Sequence, residues 1–503
     1  MIKKALKYTA SLLPDYSYAD QGFGLVNIPA AFLHLKSLSQ RKEYDKAAGY
    51  EIRTDNSFYS NKKGNTAFWK SGGYYPAGSE KQNVNVRAVF YDKLPAETKH
   101  NFYRAFVLSS DSPWLRTDKD EIYIRGENSA SFSLIFDSTK IKKPGLYSGR
   151  IVAKPKGEAG NNIGEFEVYA NIVIPYNFTQ ENLYKQVFKN ERINVGDVRR
   201  IYIEPPIGAS SAFISISPVE GKPFNIISYL FKPDGKNFKT QASTDENLRK
   251  DIIFQIPTNE LQYGIWELMP STNYLSLNDS YCDITVQFFM FDSEPKVINK
   301  LNIENGEKPK GDFRLINLSQ NLFMYDLKGS ILGYEKSEKV AHQGSSIYKR
   351  KIKISSEISK YNIKIEMSDD DFNKNTDLAF NIYDNTGKSV FSDGMSRKSD
   401  SFTFIPNGAG EYTLELEAGF THSKFENQDW NLIIRERYFY KSKNDMKFQK
   451  NDNKLTPKVW NKISFSLSEQ LIVCPDGFEQ FGEIEVIDLQ TQRTAYSIDL
   501  LIK

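Results

Sequence analysis

Cysteine and histidine are scarce, with two and four copies in 503 residues. Cys282 and Cys474 stand far apart and in no metal-ligand spacing, so neither a disulfide framework nor a zinc site is supported, and both are expected to be buried apolar fillers. Net charge is nearly absent too: 66 Lys and Arg face 63 Asp and Glu. That balance gives no electrostatic reason to expect a nucleic-acid or membrane partner. No apolar run approaches the roughly 18 residues of a membrane span, and "MIKKALKYTASLLPDYSY" lacks the continuous apolar core and small-residue cleavage site of a signal peptide. Phosphate-binding loops of the Walker type and dinucleotide fingerprints are missing as well, which leaves nucleotide chemistry unsupported and no cofactor expected.

What is present is length and aromatic surface. A chain of 503 residues exceeds what one core can hold, and 40% apolar residues with 34 Phe and 29 Tyr supply several packed interiors. The first fifty residues carry the helical signal. Ile2, Ala5, Leu6, Thr9 and Leu13 fall on one face before Pro14 and Asp15 stop the run, and a second helix is predicted from about Pro29, with Ala30, Ala31, Phe32, Leu33 and Leu35 on a mostly buried surface. Beyond residue 80 the period becomes two, as in "NVNVRAVFY" (Asn83 to Tyr91), "EIYIRG" (Glu121 to Gly126), "SFSLIFD" (Ser131 to Asp137) and "EFEVYANIVI" (Glu165 to Ile174). Turn clusters separate these strands, the pattern of antiparallel sandwiches. The expected class is mainly β, with tandem β-sandwich domains of immunoglobulin-like and jelly-roll or galactose-binding-like type, preceded by two helices. The expected division is helices in 1–40, sandwiches in 50–178 and 185–300, and a C-terminal β-sandwich or jelly-roll region in 311–503. Breaks are expected near Pro175 to Asn190 and Glu294 to Gly311. No short repeat favours a solenoid or propeller.

The N-terminal stretch "IKKALKYTA…YADQGFGLVNIPAAFLHL" resembles the end of the catalytic domain of subtilisin-like serine peptidases. Leu6, Thr9 and Ala10 match that family's Leu-x-x-Thr-Ala pattern, and Gln21, Gly22, Gly24, Asn27 and Ala31 match its Gln-Gly-x-Gly turn and final helix. "SSDSPWL", "IKKPGLYSGRI" and "FEVYANIVIPY" are similar to the immunoglobulin-like domain of the tripeptidyl peptidase II family and its bacterial relatives. "INVGDVRRIYIEPPIGASSAFISI" resembles that family's galactose-binding-like domain at Gly196, Arg200 and Gly208-Ala209. The resemblance covers about residues 1–305 and is loose from Gly311 onward.

It implies that residues 1–40 are the last helices of an α/β catalytic domain whose Asp, His and Gly-Thr-Ser motifs are absent here, the chain beginning just after the catalytic serine. The expectation is a non-catalytic accessory region, inactive alone, that serves stability, substrate access or oligomerisation. Its partners would be the upstream catalytic domain, a peptide or protein substrate reached through it, and a second copy if the chain oligomerises. Without that domain the helices should expose an apolar face including Leu6, Leu13, Phe32 and Leu35. Localisation is left open: cytoplasmic after the eukaryotic members, exported after many bacterial ones. The rival reading is an exported, multi-domain β-sandwich binding or adhesive protein, which has no use for severed subtilase helices.

No catalytic, cofactor or metal residue is assigned. His34, His100, His342 and His422 are dispersed and fit surface or structural roles. In "SDDDFNKNTD", Asp369, Asp371, Asn373 and Asp377 alternate oxygen ligands, but Thr376 stands where an EF-hand needs Gly and Ile382 where it needs Glu, so a solvated turn is favoured over calcium. "DNTG" (Asp384 to Gly387) reads as a hairpin turn. The scattered Tyr and Trp fit sandwich cores better than a carbohydrate platform.

Overall fold

The computed structural model describes residues 2–14, 16–39, 47–54, 64, 66–67, 81–157, 163–244, 250–302, 308–342, 347–395, 398–421, 430–450, 452–471 and 474–502. The chain is mainly β, in sheets whose pairings are almost all antiparallel. It divides into two compact units, one of Met1–Ile207, Phe213–Ile256 and Glu260–Phe288, the other of Gly208–Ala212, Pro257–Asn259 and Phe289–Lys503. Among the described residues no helix is long and apolar enough to cross a membrane.

In the first unit, two sheets face each other. One runs in the order Ala47–Thr54, Lys81–Phe90, Ala130–Phe136, Leu115–Thr117, and the other Thr66–Ala67, Phe166–Ile174, Gly145–Pro155, Tyr103–Ser110, Glu121–Arg125. Alternate side chains meet between them. Val84, Val86, Phe132 and Leu134 from the first sheet share one core with Phe106, Ile124, Ile151 and Phe166 from the second. The period-two reading holds here because strand side chains alternate faces and one face of each strand is dry. Strand Phe166–Ile174 departs from it: eight consecutive residues are buried, so its outer face is covered as well.

Two further four-stranded sheets follow. Their orders are Lys185–Ile193, Ser280–Phe289, Ser211–Pro218, Ile252–Ile256 and Ile201–Ile203, Trp266–Thr272, Ile226–Phe231, Asn237–Ser243. Strands Ile226–Phe231, Ile252–Ile256 and Trp266–Thr272 bury every second residue, around a fully buried Trp266. Cys282 sits here with no exposure, and burial followed by the nearby charges of Glu191 and Asp283 pushes its thiol up to about 12. Cys474, expected to be buried, is half-buried, and its thiol donates to the carbonyl of Phe478 at 3.3 Å.

The second unit carries an eleven-stranded sheet and a four-stranded sheet. Two 20-residue strands, Phe323–His342 and Trp430–Gln449, organise the larger one. Pairing begins earlier than the expected break near Glu294 to Gly311. Phe291–Glu294 pairs with Lys310–Asn317, and Val297–Ile298 pairs in parallel with Arg493–Ile502. The ladder decides this, because backbone groups must pair somewhere and composition says nothing about which sheet receives them. "DNTG" forms the expected turn: Gly387 has φ 81°, and Asp384 Oδ1 accepts from the amides of Thr386 and Lys388.

The strand Phe323–His342 shifts register between Ile331 and Gly333 against both neighbours. A Cβ on Gly333 would be driven into the carbonyl oxygen of Tyr438, a backbone atom that cannot swing aside. Gly394, with open space around its Cα, is the control. Gly333→Ala is expected to destabilise the C-terminal unit by about 2 kcal/mol or more through overpacking, while Gly394→Ala leaves it unchanged. Calorimetric unfolding of both variants measures the difference.

Candidate docking site at the N-terminal segment

Residues 2–39 form a short helix Ile2–Tyr8, a single turn Tyr18–Gln21 and a helix Ile28–Ser39. The first helix ends five residues before Leu13. There the backbone leaves the helix to make a two-hydrogen-bond bridge between Ser11 and Leu25, both at 2.8 Å. Residues of the Gln-Gly-x-Gly motif hold this bend. The Gln21 side chain accepts from the Leu13 amide at 2.7 Å and donates to the carbonyls of Leu13 and Tyr16. Gly24 has φ 93° and lies so close to the Ser11 carbonyl that a Cβ would collide with it. Asn27 caps the last helix by accepting from the Ala30 amide at 3.1 Å.

This segment rests on the outer face of strand Phe166–Ile174. Tyr18 packs its ring on Tyr169, with centroids 5.4 Å apart, and Phe23 meets the same ring edge-on at 6.1 Å. The Tyr18 hydroxyl donates to Asp111, and its amide donates to Ser148 Oγ at 3.2 Å. Arg150 lies at the centre, bonded to Asp111 at 3.0 Å and to Glu167 at 2.9 Å, with its guanidinium 5.3 Å from the Tyr18 ring. Tyr169 donates back to Glu167 at 2.6 Å. Burial, then the hydrogen bond to an acidic partner, drives both phenols well above the ordinary tyrosine value, so each stays a donor. Arg200 adds a second tie, bonding Asp20 at 2.6 Å on the segment and Glu267 on strand Trp266–Thr272. Burial works against the Asp20 carboxylate. The Ser17 hydrogen bonds and the Arg200 charge outweigh it and hold the carboxyl below the usual aspartate range.

The rest of the segment is rich in apolar side chains. Ala5 and Ala31 are buried, and Leu6, Leu13 and Leu35 are half-buried. Of the residues expected on an exposed apolar face, Phe32 is 65% exposed while Leu6, Leu13 and Leu35 are not fully so; Leu33, which periodicity placed on a mostly buried surface, is 64% exposed, and Ile2, Leu25, Val26 and Ile28 are exposed as well. Nothing else among the described residues covers them.

The remaining sequence-predicted positions do not converge. His34 is buried in the last helix, His100 is exposed, and His342 packs its ring on Tyr348 and Trp430. His422 lies outside the described residues. The acidic stretch is a capped helix, Asp369–Asn373, where a solvated turn was expected; Asp371 is 4% exposed and bonds Lys374 at 2.7 Å. Thr376, Asp377 and Ile382 lie on the next strand, Asn375–Tyr383. No cluster of His, Cys, Asp and Glu among the described residues could hold a metal ion. Of the residues forming the dock, Arg200 and the Gln-Gly-x-Gly turn carried a sequence signal. Tyr18, Asp111, Arg150 and Glu167 lie within the matching stretches quoted above, but nothing local marked them as partners, because the contacts of Tyr18 reach 93 residues to Asp111 and 132 to Arg150.

No family model and no curated protein matches the chain. Among solved structures, tripeptidyl peptidase 2 (TPP II) aligns with all of it, at a TM-score of 0.60 and 16% identity, covering 100% of this chain and 44% of that one. The fold is similar to part of tripeptidyl peptidase 2. The chain thus spans less than half of that protein's length. The secreted serine protease VesC from Vibrio cholerae aligns over 52% of this chain and 54% of that one, with a TM-score of 0.25 and 9% identity. The ZmpB structure from Clostridium perfringens, an M60 catalytic domain with two CBM51 domains, covers 82% and 59% at a TM-score of 0.15 and 9% identity. Neither score supports a structural argument.

Two outcomes follow from the dock. Arg150→Met leaves Glu167, whose side chain is 7% exposed, without its cation, and is expected to cost about 3 kcal/mol in the first unit, read by denaturant unfolding. Because the folded Asp20 pKa is depressed, its contribution is present above its unfolded value and lost as pH falls through the folded one. Amide protection of Tyr18 to Gln21, corrected for intrinsic exchange, should therefore persist from about pH 7 to 5 and fall only below about pH 4. Loss of protection near neutrality would contradict the assignment.

Proposed function

We propose that the chain is the accessory β portion of a subtilisin-like serine peptidase, and that the apolar surface of residues 2–39 is the seat of that enzyme's α/β catalytic domain. The observation that carries this is the exposure of Ile2, Leu25, Val26, Ile28, Phe32 and Leu33, between 60% and 67% each, on a segment that is itself held by the Tyr18 to Asp111 hydrogen bond and the Asp20 to Arg200 ion pair. An apolar surface of this kind on a pinned element marks a site of contact. The resemblance of the segment to the end of a subtilase domain, and the tripeptidyl peptidase 2-like fold of the whole chain, support the choice of partner.

Peptide-bond hydrolysis then belongs to the upstream domain, with a tripeptidyl-peptidase-like activity in view. The role of this chain is to anchor and orient. The catalytic fold needs its last helices to close its own core, and the same helices are fixed to the sandwiches through Tyr18, Arg150 and Arg200. A displacement of the active site relative to the sandwiches therefore has to break buried polar contacts.

The test is to supply a subtilisin-like catalytic segment from the same locus as a second chain. Co-purification is expected, with hydrolysis of a tripeptide chromogenic substrate and with a serine-directed fluorophosphonate labelling only the second chain. Phe32→Glu with Leu33→Glu should abolish co-purification while leaving the unfolding midpoint of this chain unchanged, since both side chains already face solvent. Labelling of a serine in the present chain, with turnover lost on its mutation, would overturn the assignment.

A further inference from the structure

Strand Glu121–Arg125 closes one edge of the five-stranded sheet in the first unit and pairs only with Tyr103–Ser110. The latter separates it from Gly145–Pro155 and Phe166–Ile174, the strands that carry the N-terminal segment. The ladder fixes which backbone groups are spent. The Gly126 amide donates to the Phe102 carbonyl and the Leu108 amide to the Asp120 carbonyl, both at 2.8 Å. Amides and carbonyls alternate sides along an antiparallel strand, so those of Ile122 and Ile124 also point at Tyr103–Ser110. Glu121, Tyr123 and Arg125 turn theirs outward. Among the described residues these outward groups have no partner, except that the Arg125 carbonyl accepts from the Asn128 amide at 3.1 Å.

The side chains of the same three residues stand on the outer face, because Ile122 and Ile124 belong to the sandwich core. Tyr123 stacks on Tyr103 with centroids 6.2 Å apart and planes 23° from parallel, and both rings are exposed, as is Val107 beside them. The Arg125 guanidinium lies 5.5 Å from the Tyr103 ring and makes no ion pair among the described residues. Glu121 is engaged through one oxygen only. Its Oε2 accepts from Lys156 at 2.7 Å and from the Tyr123 hydroxyl at 2.8 Å, while Oε1 has no partner among the described residues.

We propose that this edge is a homodimer interface, in which two copies pair their Glu121–Arg125 strands antiparallel about a two-fold axis at Tyr123. A two-fold interface has to be self-complementary. In this register each Glu121 stands opposite the copy's Arg125, Tyr123 stands opposite itself, and the outward amides of Tyr123 and Arg125 meet the outward carbonyls of the copy's Tyr123 and Glu121. The open Oε1 of Glu121 and the unpaired Arg125 guanidinium then satisfy each other across the seam. Neighbouring registers are refused. Moving the axis to Ile122 sets Arg125 against the copy's Lys119, and moving it to Ile124 sets Glu121 against the copy's Glu127. Charged edge strands ordinarily resist pairing, but here the order of the signs turns that rule round for one occupant, a second copy of the same strand. Five residues bury too little for a permanent assembly, so the dimer is reversible.

The experiment is sedimentation velocity on the full chain at concentrations up to about 200 μM, where a reversible monomer–dimer equilibrium is expected with its midpoint near or below about 100 μM. Glu121→Arg and Arg125→Glu should each weaken self-association at least about tenfold, since each sets two like-charged pairs on the seam. An equimolar mixture of the two variants should restore it, Arg then facing Glu in both pairs. Neither substitution touches the core, so the unfolding midpoints stay unchanged. Residue-resolved hydrogen exchange reports the backbone separately: the Tyr123 and Arg125 amides should gain protection as concentration rises, while those of Ile122 and Ile124, already bonded to Tyr103–Ser110, do not change. A monomer throughout the range would overturn the proposal and leave the edge to a strand of another protein. A dimer indifferent to both reversals, a mixture that stays monomeric, or association without protection of Tyr123 and Arg125 would each overturn it too.

Discussion

The burial of strand Phe166–Ile174 on both faces is the constraint around which the first unit is arranged. Its inward side chains, Phe166, Val168, Ala170 and Ile172, belong to the sandwich core. Its outward ones are Glu167, Tyr169, Asn171 and Val173, three of them polar and all within 8% of complete burial. A carboxylate taken out of water is costly unless a cation and hydrogen bonds replace the solvent. Arg150 and the Tyr169 hydroxyl do so for Glu167, and Ser148 bonds Asn171 at 2.7 Å. Val173 packs in turn with Tyr202 of strand Ile201–Ile203 and with Ile265, just ahead of strand Trp266–Thr272. The strand therefore touches the N-terminal segment, its own core and the neighbourhood of the next sheet at once.

A network of this kind contributes specificity more than net stability. The ion pairs offset their own desolvation and little more, yet any other pose of the segment would strand Glu167 or Arg150 without a partner. The anchoring role proposed above needs that property. The apolar helix surface is presented in one orientation, and the Asp20–Arg200–Glu267 chain extends the lock to the strand Trp266–Thr272. The stiffness lies beneath the dock, while the surface above it is made of side chains that gain by being covered.

The C-terminal region solves a different problem. Its two 20-residue strands are longer than one flat sheet accommodates, and the register shift at Gly333 lets them bend and change partners along their length. Changing partners leaves edges. Along Ile347–Ile354 the edge carries Lys349 and Lys351, paired with Glu415 at 2.7 Å and Glu411 at 2.6 Å of the neighbouring strand, and an exposed Lys353; charged side chains of this kind discourage pairing with like strands. The buried pair of Arg350 and Glu436 closes the interior below them and leaves the lysines to face solvent.

Local pattern by itself determined the class of this protein and most of its strands, because period-two alternation and turn residues act over a few positions. "SFSLIFD", "EIYIRG" and the "DNTG" turn all fold as their residues dictate. Local pattern also determined the bend at Gln21 to Asn27, where a side-chain amide, a positive φ and a helix cap act within fifteen residues. Tertiary structure alone decided the rest. It shortened the first helix, since the Ser11 to Leu25 bridge competes with the helix for the same backbone groups, and it turned Leu33 outward. It gave Phe291–Glu294 to the C-terminal sheet and made a capped helix of the acidic stretch at Asp369–Asn373. Above all it brought Tyr18, Asp111, Arg150 and Glu167 together, from four separate segments of the chain. Each of those residues is unremarkable in its own neighbourhood, and only the burial of a strand's second face makes a site of them.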